Sequence, residues 1–424
     1  MLYNIIDMTL YYSLSILIII ATIFSYINAR FLKLPSTVGI MVMAIICSVC
    51  LVVIGSFEPV PLRNMYQLVG HIDFTKLLMG GMLYFLLFAG AIQINLEDLK
   101  EEKFSIIVFS SVSVIISTFV VGFLLYYILI YLLPLIGINQ PISLMYCLLF
   151  GTIISPTDPI AVLVILKNTK ISKSLETKIT GESLFNDGMA IILFTVIYSI
   201  AQGEEQLADI SFLSISWLLI KEALGALIIG AILGYIGFYA IKKVNDYKFT
   251  VLVTLSVVMG AYMISQALEL SGPLTMVSAG IIIGNESRKY SKKRRANIDF
   301  VKTFWELIDD ILNTILFLLI GFELLLIPDL NLYWASGLTA IVVVLFARYL
   351  SIKIPTLVLK GDYSGKTIII LVWGGVRGAV SIALALSIGD VSHRNVLVAI
   401  TYFVVVFSII VQGLSLKKLL VNND

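Results

Sequence analysis

The chain has 424 residues, of which 59% are hydrophobic and 13% charged, with a net charge of +2. Soluble domains carry about 25% charged residues, so this composition excludes a soluble enzyme and gives no ground for a nucleic-acid partner. A mean hydropathy of +1.01 points instead to an all-α protein that crosses a lipid bilayer many times.

About 20 consecutive apolar residues cross the hydrocarbon layer as a helix. That yardstick predicts thirteen spans, at 9–28, 36–54, 77–95, 104–133, 141–166, 180–200, 212–241, 249–268, 272–285, 303–326, 332–358, 366–388 and 394–415. The ninth is short; those at 104–133 and 332–358 are long enough to need tilt. The first span has no basic run before it and is too long for a cleavable leader. The chain stops shortly after its last span, so no soluble regulatory domain is expected. Cys47, Cys50 and Cys147 all fall in apolar stretches and read as small packing residues.

The loops carry the orientation. Basic residues gather in alternate loops: Lys167, Lys170, Lys173 and Lys178 after the fifth span, Lys242, Lys243 and Lys248 after the seventh, and the run KYSKKRRANIDFVK (289–302) after the ninth. The loop at 201–211 carries Glu204, Glu205 and Asp209 and no basic residue. Lys and Arg mark the cytoplasmic side, which predicts an N-terminus outside and a C-terminus inside; the membrane expected is the cell (inner or plasma) membrane. The run at 289–302 is then a cytoplasmic anchor rather than a nucleic-acid patch. GDYSGKT (361–367) is one residue short of a phosphate loop and follows no strand, so ATP-driven transport has no support and no cofactor is expected.

Two spans are interrupted. The fifth breaks at Ser155-Pro156-Thr157-Asp158-Pro159 and the twelfth at Trp373-Gly374-Gly375-Val376-Arg377-Gly378. Proline removes a backbone donor and kinks a helix; clustered glycine frays it. With the seventh span as a link, the breaks fall in the fifth position of each half, and the halves are of inverted topology. Paired broken helices in matching places are the best sequence pointer to a transporter's midplane site.

Charge inside the spans is the other pointer. A carboxylate near the bilayer centre costs at least about 2.5–3.5 kcal/mol, and the chain places Asp158, Glu182 and Asp187 there, with Arg348 and Arg377. Ser183 and Asp187 are one helical turn apart, as are Glu182 and Asn186. Thr157, Asp158, Ser183 and Asp187 make an all-oxygen set suited to a small hard cation such as Na⁺. Three buried acids against two arginines leave one negative charge, which one cation or one proton neutralises. Competition between the two at a single place, with alternating access, yields one-for-one exchange. Asn186 fits this count, because an acid there would add a second charge.

These residues lie in strings that resemble the monovalent cation:proton antiporter-1 family, the NhaP-type sodium/proton antiporters, over essentially the whole chain. They are FAGAIQINLEDL (88–99), SPTDPIAV (155–162), GESLFNDG (181–188), FWELIDDILNTILFLLIGFEL (304–324), FAR (346–348) and WGGVRGAVSIALAL (373–386). The resemblance implies an NhaA-like inverted-repeat fold with two crossing broken helices, a homodimer, and a role in pH and sodium homeostasis. It implies a core domain (104–200 and 332–415) moving against a dimerisation domain (1–95 and 212–326). Carried over, Asp187 is the ion- and proton-binding acid, with Asp158, Thr157 and Ser183 beside it; Asn186 holds the broken helix, Glu182 pairs with Arg348, and Arg377 sits in the second break. Some relatives carry a glutamate in the third span where this chain has Ala89, which makes Gln93, one turn on, a possible further ligand.

Glu306 and Asp309 read as a helix start or the lining of a funnel; His71 and His393 read as surface residues of outer loops. Within this reading the cation is Na⁺ or Li⁺, with K⁺ as the alternative. Other classes fare worse. A gated channel needs a filter loop that is not visible. An intramembrane aspartyl protease needs a G-x-G-D string, of which SIGD (387–390) lacks the first glycine.

Overall fold

The computed structural model describes residues 2–55, 57–137, 142–158, 172–203, 212–244, 246–288, 292–327, 330–359, 363–389 and 393–421. Pro159, part of the first predicted break, lies outside them. The described residues form helices and no strand, as backbone groups in lipid require.

In chain order the helices are α1 (Leu2–Ile27), α2 (Ser36–Gly55), α3 (Pro59–Gly70), α4 (Leu83–Gln93) and α5 (Leu96–Glu101). Next come α6 (Lys103–Leu135), α7 (Leu144–Ile153), α8 (Lys173–Gln202) and α9 (Phe212–Lys243). Then follow α10 (Tyr247–Ala267), α11 (Gly272–Arg288), α12 (Lys292–Glu323) and α13 (Trp334–Thr356). Last are α14 (Gly365–Trp373), α15 (Ala379–Leu386) and α16 (Arg394–Leu416).

Among the described residues, nine helices are long and apolar enough to cross a membrane. The other expected spans are the two interrupted ones, the 17-residue α11, and α12, which carries charges along its length. Two stretches read as loops are helical. Pro59–Gly70 is a helix opened by Pro59 in its first turn, a position where proline's missing N–H costs nothing. The basic run is helical from Lys292 onward and continues into α12 without a break.

Helices α6, α7, α8, α13, α15 and α16 pack on one another, and α2, α4, α9, α10, α11 and α12 pack on one another. The two sets meet through α8 against α9 and α11, and through α15 against α12. Lipid is as apolar as leucine, so close backbone approach and polar bonds tie such helices together. Ser113 Oγ donates to the Ser351 carbonyl at 2.6 Å and Ser278 Oγ to the Leu227 carbonyl at 2.7 Å. Asn285 joins α11 to the end of α4: its Nδ2 donates to Ile94 O at 2.9 Å and its Oδ1 accepts from Leu96 N at 2.7 Å.

Candidate functional site

The second predicted break is present, the first is unwound as far as Asp158, where the described residues stop, and the two stretches touch. After α7 the chain runs unwound through Ser155–Asp158; between α14 and α15 it runs unwound through Gly375–Gly378. The Asp158 N–H donates to the Val376 carbonyl at 2.7 Å, so each break satisfies part of the other's backbone. Arg377 Nη1 donates to the carbonyls of Ser155 at 2.7 Å and Pro156 at 3.2 Å. Those oxygens follow the C-terminal end of α7, where a helix presents partial negative charge. Asp158 lies at the opposite kind of end: a Cβ built on Gly378, the residue before α15, would sit 2.9 Å from Asp158 Oδ2. A helix N-terminus favours a carboxylate, so the two breaks exchange charges across their crossing.

The close approach explains the glycines. The Cβ built on Gly378 would lie 2.7 Å from Asp158 Cβ, and one on Gly375 would lie 2.5 Å from Arg348 Nε. Neither position has room for a side chain without displacing the site. The Arg377 N–H donates to Ser408 Oγ at 2.8 Å, which pins the second break to α16.

α8 runs beside the first break. Asn186 Nδ2 donates to Thr157 Oγ1 at 2.7 Å, and Ser183 Oγ donates to the Thr157 carbonyl. Asp187, one turn from Ser183, is 8% exposed and lines a cavity of about 620 Å³ together with Thr157, Asp158 and Ser183. The four oxygen-bearing residues singled out from the sequence thus share one chamber. Glu182 and Arg348 form a buried ion pair, and Arg348 Nη2 also donates to the Leu371 carbonyl at 3.1 Å, just before the second break. Gln93 lines the same cavity, with its Nε2 donating to the Ala89 carbonyl at 3.1 Å.

The cavity wall holds more acid than sequence reasoning assigned to it. Glu306 and Asp309 line it, joined by Asp98, Glu176, Asp310 and Asn313. The signal for the α12 members was the spacing of Glu306, Asp309, Asp310 and Asn313, which repeats at helical intervals on one side. Asp98 and Glu176 lie near helix starts and gave none. Asp98 is paired with Lys173 at 2.7 Å. His71 is exposed, as expected, but His393 is half-buried with its ring 5.0 Å from that of Tyr146.

Hard oxygens and the two carboxylates of Asp158 and Asp187 around one water-accessible volume are chemistry able to hold a small cation or a proton. Comparison with known proteins agrees. The family described as "Sodium/hydrogen exchanger, transmembrane" matches residues 17–422. The chain is 42% identical to the Na(+)/H(+) antiporter NhaP of Pseudomonas aeruginosa, over 95% of this chain and 94% of that one. It is 30% identical to the Na(+)/H(+) antiporter NhaH of Halobacillus dabanensis, over 96% of both. The fold matches the structure of the sodium proton antiporter MjNhaP1 from Methanocaldococcus jannaschii with a TM-score of 0.76, at 18% identity and over 98% of each chain. The chain belongs to the sodium/hydrogen exchanger transmembrane family.

Proposed function

We propose that this protein is a secondary antiporter that exchanges Na⁺, or Li⁺, for H⁺ across the cell membrane by competition at Asp187 and Asp158. The observation that carries the reading is the shared chamber: two carboxylates, Thr157 and Ser183 face one cavity, while Glu182 is neutralised by Arg348 and takes no part. The relatives named as Na(+)/H(+) antiporters over nearly their whole length support the same reaction and cation.

In this reading Asn186 and Ser183 hold Thr157, and through it the first break, against α8. A cation displaces the proton from the carboxylates; a proton displaces the cation. Arg377 and Asp158 keep the crossing intact while the site changes the side it faces. The set α6–α8 and α13–α16 is the body that carries the site, moving against α1–α5 and α9–α12, which hold the dimer contact. The basic loops put the N-terminus outside and the C-terminus in the cytoplasm. One carried charge makes the exchange electroneutral.

Purified protein in liposomes with an imposed pH gradient tests this. Na⁺ and Li⁺ should each collapse the gradient, and clamping the voltage with valinomycin and K⁺ should leave the rate unchanged. A rate that follows voltage contradicts one-for-one exchange; collapse by K⁺ alone contradicts the cation assigned.

A further inference from the structure

α12 turns Glu306, Asp309, Asp310 and Asn313 toward the cavity. A row of carboxylates is in itself no binding site, but Asn313 adds something different. It is 2% exposed. Its Nδ2 donates to Asp309 Oδ1 at 3.0 Å, which fixes which end of the amide faces that carboxylate. The other end, Oδ1, has no hydrogen-bond partner. Buried amide oxygens almost always accept a bond, and an amide carbonyl is the kind of hard oxygen that replaces water around a small cation. The residue carrying this unmet oxygen lines the same chamber as Asp158 and Asp187 but sits on a helix of the other packed set.

We infer that the Asn313 side-chain oxygen is a ligand for the transported monovalent cation, taking it from the carboxylates of Glu306 and Asp309 and presenting it to Asp158 and Asp187. The inference rests on the antiport reading and adds a selectivity residue to it. Asp309 orients the amide, so that the nitrogen is occupied and the oxygen is left without a partner. Because the ligand comes from α12 while the acids come from α8 and the first break, the cation bridges the two packed sets of helices.

The test is the cation dependence of exchange by the full-length protein in liposomes, comparing wild type, Asn313→Leu, Asn313→Asp and Asp187→Asn. Leucine keeps the volume and removes the oxygen. Asn313→Leu should raise the Na⁺ concentration for half-maximal rate roughly tenfold and leave the rate at saturating Na⁺ nearly unchanged, as loss of uniform binding does. It should also change the ratio of half-saturation for Na⁺ and Li⁺. Asn313→Asp keeps an oxygen in place and should retain tight Na⁺ use with an altered Na⁺/Li⁺ ratio. A folded Asn313→Leu with wild-type half-saturation and ratio overturns the inference. So does an equal loss in both variants, which assigns the effect to the bond with Asp309. If Asn313→Leu does not fold, Asn313→Asp decides alone: a shifted ratio supports the ligand role and an unshifted one overturns it. Wild-type protein that fails to exchange, or Asp187→Asn that still does, overturns the antiport reading instead.

Discussion

Arg377, in the unwound stretch between α14 and α15, donates to the carbonyl of Ser155, in the unwound stretch after α7, at 2.7 Å. The bond joins residues 222 positions apart and caps a helix end that would otherwise leave bare oxygens inside the membrane. It is also the reason a full positive charge is tolerated there: the guanidinium has carbonyls to serve and an overall negative site to balance.

Arg377→Ala is therefore expected to lose more than charge. It strands the Ser155 and Pro156 carbonyls, and bonds from charged donors are worth about 1.5–3 kcal/mol each. A fall in thermal stability in detergent, together with loss of exchange, is the expected outcome. Arg377→Lys should recover part of the stability.

The Glu182–Arg348 pair makes a sharper prediction about stability. Removing one partner of a buried ion pair costs about 3–5 kcal/mol, whereas replacing both with apolar groups of similar size is often neutral. Arg348→Ala should lower the melting temperature strongly, and Glu182→Gln in the same protein should restore part of the loss. Melting curves of the two single variants and the double variant form the required cycle.

Gly378→Ala is expected to abolish or greatly slow exchange, since the new Cβ would press on Asp158 at 2.7 Å. Gly365→Ala serves as the control, because a Cβ there meets nothing within 4 Å. Initial rates in the same liposomes compare the two directly.

Competition at one site fixes the sign of the pH effect. As pH falls, protons occupy the carboxylates and the Na⁺ concentration for half-maximal rate rises, by up to about tenfold per pH unit once the site is mostly protonated. As pH rises, that concentration levels off. Measuring half-saturation from acid to alkaline pH, equal on both sides of the membrane, shows the slope; independence from pH speaks against a shared site.

Much of this was legible in the sequence because membrane insertion makes polar residues conspicuous. Prolines at 156 and 159 and glycines at 374, 375 and 378 marked the breaks, and the one-turn spacing of Ser183 and Asp187 placed them together. Pairings across long distances were not legible from spacing. The contact of Glu182 with Arg348 came only from family resemblance, and that of Arg377 with Ser155 came only from the structure. The helix at Pro59–Gly70 was missed because its polar face lowers the hydropathy, although the proline at its start was a visible signal. Asn313 was missed for a different reason: a buried asparagine looks like any helix-pairing residue until its unpartnered oxygen is seen.

Asp187 is the residue at which cation and proton are expected to compete. The most direct test is ²²Na⁺ uptake by liposomes carrying Asp187→Asn, driven by an outward proton gradient, with the melting curve taken alongside. Uptake at the protein-free background from a variant that melts like the wild type is the predicted result; uptake near the wild-type rate would contradict it.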